Sequence, residues 1–211
     1  MIIHCDERGF CLTVTGGLYS AGCHNKLTRE QAIEHWESED YPDTARGAGF
    51  VAAIQRGAEL SRMPEGLEYL DLGGGTLPAG TVLPEGLLRL YLDGGTLPKG
   101  TVLPSGLVGL DLGGGTLPAG TVLPKGLKYL SLDGGTLPDG TVLSSGLVGL
   151  DLGGGTLPDG TVLPEGLKHL YLDGGTLPEG TVLPKGMTHL SLGGGRLPEG
   201  TVLPDDLRVV R

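Results

Sequence analysis

Aromatic side chains are nearly missing from this chain: six tyrosines, two phenylalanines and one tryptophan in 211 residues, 4% of the whole. A core of stacked rings is excluded, so whatever packs inside must be aliphatic. Cysteine is also scarce. Cys5, Cys11 and Cys23 are irregularly spaced with no CxxC pair, which excludes a disulfide framework and, even beside His4 and His24, argues against a zinc site. Three such thiols are expected to stay reduced. Positive charge is in deficit, with 15 Lys and Arg against 25 Asp and Glu and a formal net charge of −10. A phosphate-binding surface, and with it a direct nucleic-acid partner, is therefore not expected. No apolar run approaches the roughly 18 residues of a membrane helix. Met1-Ile2-Ile3-His4-Cys5-Asp6 also lacks the basic start and apolar stretch of a secretory signal. The expectation is a cytoplasmic protein with no membrane partner.

What is abundant is glycine, 41 residues, where an average chain has about 7%. Proline adds 15, and hydrophobic residues still make up 38%. Collagen would need glycine at every third position, and disorder would need fewer leucines. Near Met63 the composition changes and a 20-residue unit begins, MPEGLEYLDLGGGTLPAGTV. It recurs at 83, 103, 123, 143, 163 and 183, and LPDDLRVVR (203–211) opens an eighth unit. A fixed period of this size marks a solenoid. Gly66, Gly73, Gly74, Gly75, Pro78, Gly80 and Pro84 recur too closely for a helix. Each unit is left with one short strand, 68–72, and turns.

Leu70 and Leu72 alternate with variable residues and so point to one side of that strand. Leu67 joins them, and Leu77, Val82 and Leu83 are expected to return from the opposite wall, about six aliphatic side chains per unit. One unit cannot bury them, but stacked units form a continuous column. With strands about 4.8 Å apart, the rod would be on the order of 40 Å long.

Leu67-x-x-Leu70-x-Leu72-x-x-Gly75-x-Leu77 resembles the leucine-rich repeat pattern LxxLxLxxNxL, with glycine in place of asparagine. The LPxGL start and the short unit resemble the bacterial-effector and FNIP-type branches of that family. The FNIP Phe-Asn-x-Pro stretch falls on Gly75-Thr76-Leu77-Pro78. The resemblance spans 63–211 and implies a rod of parallel strands with a concave binding face. Without the asparagine ladder, Gly73 to Gly75 must satisfy the turn through backbone geometry, and a plain parallel β-solenoid stays open.

Residues 1–62 are different in kind. Met1 to Cys5 and Phe10 to Thr15 read as strands around Asp6-Glu7-Arg8-Gly9. Thr28-Arg29-Glu30-Gln31 is a capping box opening a helix through about Trp36. Asp43-Thr44 starts a second helix with Phe50, Val51 and Ile54 as its apolar stripe. The fold class expected is α+β, with 1–62 a ββαα unit capping the open first coil of a leucine-rich-repeat solenoid at 63–211. LTREQAIEHW…YPDTARGAGFVAAI also resembles bacteriophage and prophage modules.

Nothing points to catalysis. No Ser, His and Asp set sits in a nucleophile-elbow context. GGGTLPxG lacks a phosphate loop's Gly-Lys-Ser/Thr ending and opens no helix. One Asp per 20 residues is too sparse for a calcium-binding β-roll. The threonine ladders at 76 and 81 read as hydroxyls satisfying backbone rather than as an ice-ordering array. The expectation is no enzyme, no cofactor and no metal.

Positions that vary between near-identical units are those that packing leaves free. Position 69 runs Tyr69, Arg89, Gly109, Tyr129, Gly149, His169 and His189. Position 71 runs Asp71, Tyr91, Asp111, Ser131, Asp151, Tyr171 and Ser191, while position 73 alternates glycine with Asp93, Asp133 and Asp173. These three positions are expected to share the outward strand face, with Gly109 and Gly149 leaving its middle low. Tyrosine and arginine are typical interface anchors, although a merely solvated face has the same alternation. Staggering Asp between positions 71 and 73 would relieve like-charge opposition. The reading is a protein-binding module for a partner with a basic surface, which could be an effector acting inside a host cell. The alternatives are an acidic DNA mimic, from one carboxylate per coil, and a structural rod. At the C-terminal edge Asp205, Asp206, Arg208 and Arg211 read as charges guarding against strand pairing, with self-association as the other outcome.

Overall fold

The computed structural model describes residues 2–5, 11–15, 18–21, 24–37, 66–72, 77 and 79–210. Its N-terminal part is an antiparallel sheet in chain order, β1 (Ile2–Cys5), β2 (Cys11–Thr15), β3 (Leu18–Ala21) and β4 (His24–Leu27). Helix α1 (Arg29–Glu37) packs on β3 and β4. The capping box closes as the sequence predicts: Thr28 N–H donates to Gln31 Oε1 at 2.9 Å, and Gln31 N–H donates to Thr28 Oγ1 at 3.3 Å. Two strands were expected here and four are present. Thr15 and Leu18 are register partners across Gly16-Gly17, a two-residue glycine pair that favours hairpins. The expected second helix, from Asp43, lies outside the described residues.

The repeats form one parallel sheet in chain order: β5 (Tyr69–Asp71), β6 (Arg89–Tyr91), β7 (Gly109–Asp111), β8 (Tyr129–Ser131), β9 (Gly149–Asp151), β10 (His169–Tyr171), β11 (His189–Ser191) and β12 (Arg208–Val210). Register is kept at one unit per step, Leu70 beside Leu90, Leu90 beside Leu110 and onward to Leu190. The last step is one residue shorter and sets Val209 beside Leu190. No helix occurs among the described residues from 66 onward.

Three turns close each coil from residue 83 onward. At Leu92-Asp93-Gly94-Gly95 the Gly95 N–H donates to Leu92 O at 2.8 Å, with φ of 41° at Asp93 and 88° at Gly94. Two consecutive left-handed residues are the signature of a type I′ turn. At Pro98-Lys99-Gly100-Thr101 the Thr101 amide and hydroxyl both donate to Pro98 O, at 3.1 and 2.7 Å. The hydroxyl bond recurs at Thr121, Thr141, Thr161, Thr181 and Thr201, so this threonine ladder serves the backbone. The third turn, Pro104 to Leu107, closes at 3.1 Å.

The core is aliphatic and nearly all leucine. Five columns are buried, at the positions of Leu67, Leu70, Leu72, Leu77 and Leu83. The sixth expected member is corrected. Val82 and its equivalents through Val202 are 80% to 82% exposed. In an extended segment neighbours face opposite ways, so burying Leu83 turns Val82 out. The valines form an exposed row on the wall away from the strands.

The glycine at the family's asparagine position has a steric cause. A Cβ on Gly155 would lie 2.6 Å from Gly135 O of the preceding coil and 2.8 Å from Leu152 O, and the same carbonyl approach recurs at Gly115, Gly135, Gly175 and Gly195. The backbone supplies what asparagine would. Leu132 O accepts from Gly135 N–H of its own turn at 2.8 Å and from Gly114 N–H of the preceding coil at 2.7 Å.

Two outcomes follow for chemical denaturation of the full chain. Gly155→Asn, which introduces the asparagine of the leucine-rich repeat pattern, is expected to destabilise by at least about 2 kcal/mol through overpacking. Gly160→Asn, at φ 73° with nothing within 4 Å, is expected to lose no more than about 1 kcal/mol. Equal losses would mean the coils are not in close contact. Leu130→Ala is expected to lose about 2–5 kcal/mol, but Val122→Thr and Val142→Thr only about 0.5 kcal/mol each. A leucine-sized loss at Val122 would return that row to the core.

Candidate functional site

Because Leu70 and Leu72 point inward, positions 69 and 71 of every coil point out and form two adjacent rows up the sheet. In the middle the rows enclose an open depression of about 200 Å³. Tyr91, Tyr129 and Tyr171 stand around it, Gly109 and Gly149 lie in its floor, and Asp111, Ser131 and Asp151 line it. It is nearly symmetrical about β8. Tyr129 and Ser131 occupy the centre, Gly109-Leu110-Asp111 and Gly149-Leu150-Asp151 flank them, and a tyrosine stands beyond each.

The glycines are not simply bare backbone. The Tyr129 ring lies over Gly149, its Cδ1 3.0 Å from where a Cβ would stand, and the Arg89 stem leans over Gly109 at 3.6 Å. A larger residue at 149 would push the Tyr129 ring away by a few tenths of an ångström. Toward the two ends of the face the side chains pair with each other. Tyr69 stacks on Tyr91 with centroids 5.0 Å apart and planes at 29°, and His169 tilts against His189 at 5.1 Å. His169 Nδ1 is buried without a hydrogen-bond partner.

Asp93, Asp133 and Asp173 do not share the strand face as expected. They follow the inward leucine one residue beyond each strand, and Asp93 and Asp133 sit in the first turn at φ 41° and 34°. The alternation at this position is corrected to a steric cause. A Cβ on Gly113 would meet Asp93 Cα at 2.6 Å, and one on Gly193 would meet Asp173 Cα at 2.6 Å. A coil carrying Asp here therefore needs glycine in the next. Two coils with that glycine use the strand-end aspartate instead: Asp111 Oδ1 accepts from Gly113 N–H and Asp151 Oδ1 from Gly153 N–H, both at 2.8 Å. The Asp-x-Gly spacing carried this signal, and the sequence reading missed it. Ser191 Oγ donates to Asp173.

Both arrangements give one carboxylate per coil from Asp71 to Asp173, and these feel one another. Burial, and then Asp71 and Asp111, raise the Asp93 pKa above the usual carboxylate range. Asp151 is raised by burial, against the opposing Gly153 hydrogen bond, and further by Asp133, Asp173 and Asp111. Tyr69 is also raised, by burial and then by Asp71, Tyr91 and Asp93, with Arg89 acting the other way. Among the described residues no three His, Cys, Asp or Glu side chains converge to hold a metal ion. Cys5 and Cys11 are register partners in β1 and β2.

No family model matches the chain, and no curated protein matches it either. Solved structures do. YopM, a leucine-rich effector protein from Yersinia pestis, aligns with a TM-score of 0.54 at 19% identity, over 71% of this chain and 50% of that one. YopM from Yersinia enterocolitica aligns at a TM-score of 0.40 and 19% identity, over 86% of this chain and 62% of the other. The chain thus spans about half the length of the first. The fold is a parallel solenoid with 20-residue coils, consistent with a leucine-rich repeat protein and similar to the Yersinia pestis effector. No helix among the described residues is long and apolar enough to cross a membrane.

The raised carboxylates fix a pH dependence. An acid whose folded-state pKa lies above its unfolded value holds its proton more tightly when folded, so stability falls as pH rises from the ordinary aspartate range through the raised value. Combined Asp93→Asn and Asp151→Asn changes keep the turn geometry, since asparagine tolerates positive φ and its amide oxygen still accepts from Gly153. The double variant is expected to melt higher than wild type at pH 7, with the gain shrinking as pH drops below the ordinary aspartate range. A lower melting temperature at pH 7, or a difference independent of pH, would contradict the raised pKa of the two carboxylates.

Proposed function

We propose that this chain is a non-enzymatic protein-binding module and that it engages its partner through the outward strand face. The observation that carries this reading is the depression between Tyr91 and Tyr171, where three of the chain's six tyrosines meet two half-buried carboxylates. Rings on a rigid sheet offer contact area with little entropy to lose, which is how interface anchors work. Carboxylates beside them favour a partner with a basic surface. Arg89, His169 and His189 extend the same face toward its two ends. The similarity to a bacterial effector extends the reading to action inside a host cell.

The test is capture by the tagged full chain from host lysate, identified by mass spectrometry. Wild type and a Val122→Thr/Val142→Thr control are expected to retain the same protein. Tyr91→Ala/Tyr171→Ala is expected to lose it, since central anchors cost about 2 kcal/mol or more each, while its melting temperature barely moves. Retention by the tyrosine variant together with loss by the valine variant would place binding on the opposite wall.

A further inference from the structure

We propose that the strand-face depression seats an extended basic segment whose cationic side chains recur at every third residue, one against Asp111 and the next against Asp151. The proposal rests on the strand face being the protein-binding surface, and it adds the chemistry and spacing of what is bound.

The depression is two copies of one half-site. Gly109-Leu110-Asp111 and Gly149-Leu150-Asp151 repeat the same three residues on β7 and β9. Tyr91 bounds one copy, Tyr171 bounds the other, and Tyr129 is shared. In each, the turn amide holds Oδ1 at 2.8 Å and so fixes the carboxylate plane. Oδ2 carries no hydrogen bond among the described residues. Apart from the Arg89 stem, which leans over Gly109, no lysine or arginine lines the depression, and neither carboxylate is ion-paired among the described residues. An anionic ligand would be repelled. An ammonium or guanidinium would complete the carboxylate, and its aliphatic stem would lie along tyrosine rings that also attract the charge.

Spacing then selects the backbone of the ligand. Two coils separate Asp111 from Asp151, about 9.6 Å at roughly 4.8 Å per strand. A polyproline II segment advances about 3.1 Å per residue with three residues per turn, so every third side chain returns to the same side after about 9.3 Å. A β-strand returns same-side residues at about 6.8 Å or 13.6 Å, and neither fits. An α-helix, about 10 Å across, is too broad for a depression of this size. The segment would run along the rod, across the strands.

Fluorescence anisotropy of the full chain at fixed salt tests this with two labelled dodecapeptides of equal composition, (Pro-Pro-Lys)4 and (Lys-Lys-Pro-Pro-Pro-Pro)2. The first has lysines three apart and the second has none so spaced. The first is expected to bind at least about tenfold more tightly. Asp111→Asn/Asp151→Asn, which keeps both turn hydrogen bonds, is expected to abolish that preference while melting normally. If this double variant does not fold, the wild-type comparison alone decides. Equal affinity for the two peptides, no binding of either, or an unchanged preference in a folded double variant would overturn the proposal. Loss of capture in the tyrosine variant, combined with no preference between peptides, would leave the strand-face reading standing and remove only this one.

Discussion

Everything in the repeat region depends on how closely the backbone of one coil approaches the next at the end of each strand. At Gly115, Gly135, Gly155, Gly175 and Gly195 the preceding coil's carbonyl occupies the space a Cβ would need. That approach lets a turn amide of one coil bond directly to the next coil's leucine carbonyl, as Gly94 does to Leu112 at 2.8 Å. In the repeat family that this chain resembles, an asparagine side chain does comparable work. Here the main chain does it, and the strand positions just before the turn inherit the rigidity.

The constraint reaches the outward face through Asp93 and its neighbours. At Gly113 and Gly193 the main chain of the preceding Asp93 and Asp173 fills the space a Cβ would need, so glycine follows aspartate at the first turn position. The consequence is electrostatic. Carboxylates are distributed one per coil, and burial together with repulsion from neighbouring carboxylates raises the pKa of Asp93 and Asp151. On the strand face itself, Gly149 lies under the Tyr129 ring and Gly109 under the Arg89 stem. Packing thus shapes the surface available to a partner.

Much of this was legible in the residues. The period, the single strand per unit and the inward leucines follow from spacing alone, and Thr28 with Gln31 marked a real capping box. The variable positions also pointed to Tyr91, Tyr129 and Tyr171. Other features were hidden for physical reasons. Val82 looks like core because it is apolar and repeated, and only backbone alternation next to Leu83 turns it outward. Asp93 shares the parity of Tyr91 along the sequence, but the strand ends at Tyr91 and the chain turns left-handed. Inter-coil contacts such as Gly113 on Asp93 join residues 20 apart, and local pattern carries no distance between them.

Amide hydrogen exchange, read residue by residue by NMR on the full chain, tests the inter-coil contact most directly. The account predicts that the Gly114 and Gly134 amides, bonded to Leu132 O and Leu152 O at 2.7 and 2.8 Å, exchange only through opening of the whole rod and are as protected as strand amides. Exchange at the rate of an exposed loop, in a chain whose strand amides stay protected, would contradict it.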